Sequence, residues 1–455
     1  MTDDLSRRGF MERAGMLGIA GTAAPFVMNL AAIGEAAAAT APDYKALVCV
    51  YLYGGNDYAN TLIPYDQQRY DQYAAMRPAL ALPRASLDTG ALTPAVPLAG
   101  GGQYALPPAL APLLPIWNAG KLAPILNVGT LLQPTSKAQY SARSVPLPPK
   151  LFSHNDQQSY WLAGAPEGAA TGWGGRIGDL FMAGNGNATL TCINPAGSTV
   201  FLSGRSAVQY SITTAGPVAL NNGSNTYFGS DAIGTTLKTL MTAPRTHLIE
   251  NEVTRVGKRS LDSYGMVLSA LGKAPPLQTQ FPYGGLADQL RVVAQMIATS
   301  SEVGAKRQVF AVGLGGFDHH SGLSGGHADL LGRVGAAMRA FYDATVELKV
   351  ADRVTAFTAS EFGRTMASNG TGSDHGWGSI HFAMGGAVKG KRFYGSAPVI
   401  ASDGPDDVGQ GRLLPTIAVD QYAATLATWF GVPDSSMSLV LPNIGAFSNR
   451  NLGFV

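Results

Sequence analysis

The chain has 455 residues with Lys+Arg 32 against Asp+Glu 30 and a formal net charge of +2, which excludes charge-driven disorder and argues against nucleic acid or an anionic membrane as the main partner. Charged residues are only 14%, against about 25% in an average domain, while 56 Gly and 28 Pro mark a loop-rich protein whose 46% hydrophobic content still fills a sizeable core. Two cysteines exclude a disulfide scaffold and a cysteine-based zinc module, and Cys49 and Cys192, each in an apolar run, are expected as buried free thiols.

Ser6-Arg7-Arg8-Gly9-Phe10-Met11 precedes a mildly apolar stretch from Ala14 to Ile33 and then Ala37-Ala38-Ala39. That order of charged, apolar and small residues, with paired arginines before Phe10, is a cleavable export signal of the twin-arginine type. Met11 and Glu12 stand where Leu and Lys are often found, and Gly15, Gly18, Gly21 and Pro25 disfavour a stable amphipathic helix. Residues 1–39 are therefore expected to be removed, and the remainder to be periplasmic or secreted. No later stretch offers about 18 consecutive apolar residues, so no permanent membrane span is expected.

Along the remainder, Ala46–Tyr53, Leu122–Val128, Val309–Leu314 and Val354–Thr358 are short apolar runs bounded by glycines or polar turns. Such runs predict strands buried on both faces, as in a parallel sheet. Thr189–Ile193 and Phe382–Val388 are weaker strand signals. Helical spacing marks Leu286–Val303, Ala328–Leu348 and Gln421–Phe430, the first through Leu286, Leu290, Val293 and Ile297. Strands alternating with helices predict a doubly wound, mainly parallel α/β sheet. The expected organisation is one such domain over 40–455, with an excursion near 90–108 and a hairpin or cover near 196–230.

Ligands of parallel α/β sheets sit beyond the carboxyl ends of the strands, so the residues after each strand carry the functional reading. These are Gly54-Gly55-Asn56-Asp57, then Gly315-Gly316-Phe317-Asp318-His319-His320, then Ser360-Glu361-Phe362-Gly363-Arg364-Thr365, followed by Asp374-His375-Gly376-Trp377. Asp and Gly also end strands as plain turn residues. Three such sets in one chain, with five of the seven histidines between 319 and 381, point instead to oxygen and imidazole ligands for a divalent metal. His320 and His375, each close to an Asp, are the favoured histidine ligands, with His319 as an orienting neighbour. His327 faces either the site or solvent, His381 is as readily a packed core residue, and His247 has no functional role. Ser153 precedes a predicted helix, where it serves as a cap or as a nucleophile facing a metal. Arg176 and Arg364 each offer a planar fork, for an oxyanion or for a carboxylate.

Taken together, these segments resemble a family of twin-arginine-exported bacterial proteins, a domain-of-unknown-function family within the alkaline phosphatase/sulfatase superfamily. The resemblance rests on Leu52-Tyr53-Gly54-Gly55-Asn56-Asp57, Ser153-His154, the segment from Gly315 to His320, the segment from Ser360 to Thr365 and Asp374-His375-Gly376-Trp377-Gly378. It implies an alkaline-phosphatase-like fold and metal-assisted hydrolysis of a phosphate or sulfate ester, small or polymer-borne, with zinc, manganese or calcium as the cofactor. Carried over by position, Asp57, Asp318, His320 and His375 would hold metal and Ser153 would be the nucleophile; from its place in the sequence Asp374 is a further candidate ligand, and Glu361 and Arg364 are further catalytic candidates. His154 and Arg176 would bind substrate. The chain departs from the enzymes at Glu361-Phe362, where they carry an Asp-His pair, which implies a weak or missing second metal. A non-catalytic relative acting as an exported binding or assembly protein is the alternative.

Overall fold

The computed structural model describes residues 43–219 and 226–455, and the segment read as an export signal lies outside them. Its centre is a nine-stranded sheet in the order β13-β4-β12-β9-β1-β8-β5-β6-β7. The strands are β1 (Lys45–Leu52), β4 (Leu122–Gly129), β5 (Cys192–Asn194), β6 (Tyr210–Thr213), β7 (Gly216–Pro217), β8 (Arg307–Leu314), β9 (Val354–Ala359), β12 (Ser379–Gly385) and β13 (Ile417–Ala418). Two small antiparallel ladders stand apart: β2 (Ile63–Pro64) with β3 (Tyr104–Ala105), and β10 (Arg364–Ser368) with β11 (Ser373–His375). The longer helices are α1 (Gln67–Met76), α2 (His154–Ala163), α3 (Trp173–Phe181), α4 (Asp231–Thr242), α5 (Leu248–Lys273), α6 (Gly285–Ala298), α7 (Leu323–Glu347) and α8 (Val419–Phe430).

The expected doubly wound, mainly parallel sheet is present. β9, β1, β8, β5 and β6 run parallel, while β12 is antiparallel to β9 and β4, and β7 turns back on β6 as the edge hairpin. The run at Phe382–Val388 begins earlier, at Ser379, and ends at Gly385; the helix predicted from Leu286 ends at Ala298 rather than Val303. At that end Thr299 leaves helical geometry and its hydroxyl bonds to the Met296 carbonyl, so the apolar spacing continues without the helix.

Alternation along β1 explains why its run is apolar throughout. Ala46, Val48, Val50 and Leu52 enter one core, with Leu290 and Val293 of α6 and Leu331 and Val334 of α7. Leu47, Cys49 and Tyr51 enter the other, with Trp173 and Ile177 of α3 and Tyr422 and Leu426 of α8. A strand covered by helices on both faces has no polar position to spare. Cys49 and Cys192 are buried free thiols.

Register then places the functional loops. Leu52 pairs with Leu314, and Tyr51 with Ala359, so the carboxyl ends of β1, β8 and β9 finish side by side. The backbone turns off β1 at Gly54, whose φ of 118° is open to glycine, and a Cβ there would come within 2.4 Å of the Asp318 amide nitrogen. The sheet edge is thus drawn together by backbone contact between two loops. Among the described residues, no helix is long and apolar enough to cross a membrane.

Candidate metal centre

A loop, a strand end and a helix start meet at this edge. Asp318 and His320 follow β8, His375 ends β11 and His154 opens α2. Ser153 is the N-cap of α2 in extended geometry, Asp156 sits in the first turn, and Gly164 closes the helix in left-handed conformation. These end signals hold His154 at the first helical position, facing Asp318.

The histidines are tethered through their Nδ1 atoms. His154 Nδ1 lies 2.8 Å from Glu361 Oε1, His375 Nδ1 donates to the Phe152 carbonyl at 2.7 Å, and His320 Nδ1 lies 3.2 Å from Asp374 Oδ1. Their Nε2 atoms consequently turn toward Asp318. That of His154 is 3.4 Å from Oδ2, and those of His320 and His375 are 3.1 and 3.2 Å from Oδ1. His154 Nε2 makes ion-pair contact only and is buried without a hydrogen-bond partner. The Nε2 atoms of His320 and His375 are 2.9 Å apart, which without a proton or cation between them sets two lone pairs against each other.

Ligand atoms of His154, Asp318 and His375 lie within 4.8 Å of one another, and His320 adds a third imidazole. Hydrogen bonds behind each ring, with the Nε2 atoms turned to a shared point in front, are the arrangement that fixes a metal-ligating histidine tautomer. The donor set therefore fits a divalent cation. The centre is open to solvent, with Asp318 and His320 side chains 43% and 47% exposed.

Electrostatics follow the tethers. The hydrogen bond that the ring donates to Glu361 raises the His154 pKa, burial opposes it, and the charges of Glu361 and Asp318 add to it. Burial pushes the Asp318 carboxyl up, but the Arg364 hydrogen bond and charge, with His154 and His320, hold it below the usual carboxylate range. Burial lowers His375, which favours its neutral, ligating form.

The structure gathers Asp318, His320, Asp374, His375, His154, Glu361 and Arg364 at one edge. Their placement departs from the expected roles in several respects. Glu361 is 1% exposed and accepts from His154, the Gly54 amide and Gln158, so it orients a ring from behind. Arg364 is buried, and its fork holds Asp318, the Gly54 carbonyl and Ser373; it positions the Asp318 carboxylate rather than standing open as a clamp.

Asp57 and Arg176 do not join the group. Asp57 is fully buried in a 2.8 Å ion pair with Arg77, at the end of α1. Burial raises its pKa and the Arg77 charge and hydrogen bond bring it down again. Arg176 donates to the carbonyls of Val440, Thr171 and Ala163, so its fork ties segments together and is not available to a substrate. His327 is buried against Asn56, and His381 packs against Trp161. Ser153 Oγ donates to Asp156 Oδ2 at 2.9 Å. Sequence reading missed Asp156, although Ser-x-x-Asp at a helix start was its signal. A cleft of about 310 Å³ opens beside the centre, lined by Tyr53, Asn155, Gln158, Glu167, Ser198 and Thr199.

A family model described as a protein of unknown function, DUF1501, matches residues 44–432. No curated protein matches the sequence. Among solved structures, the chain is similar to Ps i-CgsB in complex with k-i-k-neocarrahexaose, at 10% identity and a TM-score of 0.37, covering 90% of this chain and 77% of that one. It is similar to the PsFucS1 sulfatase from Pseudoalteromonas sp. at 8% identity and 0.33, covering 89% and 71%. It is also similar to the lipoteichoic acid synthase LtaP from Listeria monocytogenes at 7% identity and 0.31, covering 90% and 74%.

Proposed function

This chain belongs to the DUF1501 family, and on that premise we propose that it is an exported, metal-dependent hydrolase of phosphate or sulfate esters. The observation that carries the reading is the convergence of His154, His320 and His375 Nε2 atoms on the Asp318 carboxylate, each ring held from behind. Three imidazoles and one carboxylate favour zinc or manganese over calcium, which prefers oxygen throughout. Such an ion supplies Lewis-acid stabilisation of charge developing on an ester oxygen.

The chain's own residues supply the rest. Ser153 is the candidate nucleophile, and its hydroxyl already donates to Asp156, a carboxylate positioned to receive the proton. Arg364 holds Asp318 in place, and Glu361 holds His154. The adjoining cleft receives the alcohol portion of the ester. With Asp57 paired to Arg77 and Glu361 turned behind His154, the residues gather for one ion rather than two. Turnover of simple aryl phosphates should accordingly be slow.

That single-ion arrangement also favours a second reading, a non-catalytic metal-binding relative that acts as an exported binding or assembly protein. Panels of aryl phosphates and aryl sulfates, tested with metal-replete wild type and Ser153→Ala, separate the two. Activity in wild type that falls in Ser153→Ala supports the hydrolase. Activity undiminished by Ser153→Ala removes Ser153 from the chemistry, and no activity in wild type supports the second reading.

A further inference from the structure

We propose that Phe362 is a positioning residue of the metal centre: its ring sets the planes of His154 and His375 and closes the buried side of the site to water. This role requires that the donor set hold a cation, not that the chain hydrolyse an ester. Each tether through Nδ1 fixes one atom of an imidazole and leaves the plane of the ring free to swing about that atom. Contacts with Phe362 remove this freedom. Its ring stacks on His375 with centroids 4.7 Å apart and planes 29° from parallel, and meets His154 at 4.9 Å. His154 and His375 in turn meet edge to face at 4.4 Å. Three rings thus support one another in a closed set, and aromatic pairs at these separations attract beyond simple burial.

Phe362 is itself held. It is 1% exposed, follows Glu361 in the loop after β9, and presses its edge on the turn that leaves β1, where a Cβ at Gly55 would come within 2.3 Å of Cε2. Gly55 has a φ of 82°, so that close approach is built into the turn. Two consecutive residues therefore act on the same ligand: Glu361 holds His154 Nδ1, and Phe362 holds the plane of its ring. Exposure is graded across the centre. The His154 and His375 side chains, in contact with Phe362, are 29% and 23% exposed, against 43% for Asp318 and 47% for His320. An apolar ring on the buried side leaves the His320 side as the approach for water or an ester, and a dry side strengthens the attraction between a cation and its donors.

Two variants and a control test the role. Phe362→Leu keeps an apolar side chain in place and removes the flat ring, and Gly55→Ala drives the ring from its seat. Phe357→Leu is the control, because Phe357 is fully buried on β9 and packs on Trp173 and Tyr422 in the core. Competition against a chromogenic chelator should show zinc bound about tenfold or more weakly by Phe362→Leu and Gly55→Ala. Phe357→Leu should bind zinc as wild type does, although it too loses stability in urea. The visible absorption spectrum of the cobalt(II) form should change in the same two variants and not in the control. A zinc affinity or a cobalt spectrum unchanged in Phe362→Leu, or altered as much in Phe357→Leu, would overturn the proposal and leave the centre standing. Wild type that binds neither zinc nor cobalt would overturn the centre and this role together.

Discussion

The His154 imidazole and the Glu361 carboxylate meet at 2.8 Å across 207 residues of sequence, and that contact turns the other ring nitrogen toward Asp318. The carboxylate is buried and also caps the Gly54 amide, so the ring is anchored to the end of β1 as well as to the end of β9.

Metal affinity should depend on this contact in a graded way. Glu361→Gln keeps a hydrogen-bond acceptor but loses the charge, and should weaken binding of zinc or manganese by about 10–100-fold with stoichiometry retained. His320→Ala combined with His375→Ala should abolish binding, since two neutral nitrogen donors vanish together. Competition titration against a chromogenic chelator measures both, and unchanged stoichiometry in the double variant would refute the centre.

Asp57 should behave as a structural residue. Asp57→Asn leaves Arg77 buried without its counter-charge, which should destabilise the fold by about 3–5 kcal/mol while leaving metal stoichiometry unchanged. Replacing both partners, Asp57→Leu with Arg77→Met, should recover much of the loss. Denaturant unfolding and metal titration on the same samples check the pair, and loss of metal in folded Asp57→Asn would return Asp57 to the ligand set.

Asp420 predicts a pH dependence of stability. Burial pushes its carboxyl up to about 7 from an ordinary 3.8, against the lowering effect of backbone hydrogen bonds and Arg176. A carboxyl raised on folding stabilises in its protonated form, so its contribution is full below 3.8 and is lost as pH rises through about 7. Asp420→Asn should flatten that part of the profile and raise the midpoint of thermal unfolding relative to wild type near pH 8. Parallel profiles for the two proteins would show that Asp420 is not the group responsible.

Export should require the paired arginines. We propose that replacing Arg7 and Arg8 by Lys retains the precursor in the cytoplasm, with processing near Thr40 lost. Fractionation of cells producing each form measures this, and normal accumulation outside the cytoplasm would remove the twin-arginine assignment.

The strands at the centre of the sheet were legible because burial on both faces leaves one signature, an uninterrupted apolar run that stops at glycine or aspartate. β1 and β8 carry it, β9 carries a weaker form that includes Thr355 and Thr358 and ends at Ser360-Glu361, and the residues just beyond β8 include Asp318 and His320. Local spacing also marked Asp374 and His375 as neighbours of the same edge. Beyond that, sequence periodicity is silent, since it reports which residues are covered and not by what. Asp57 follows the end of β1 within one residue of the spacing by which Asp318 follows β8, yet it turns inward because Arg77, 20 residues on, is buried at the end of α1 and needs a counter-charge. Glu361, expected to be catalytic, instead backs His154, whose place is set by the start of a helix in a different part of the chain. Arg176 is bound by three carbonyls, of which those of Val440 and Ala163 come within reach only through the packing of α3 against its neighbours. Strand ends are local properties of the sequence; the partner of a buried charge is chosen by tertiary packing, because an ion removed from water is held by whichever opposite charge or carbonyl the fold places beside it.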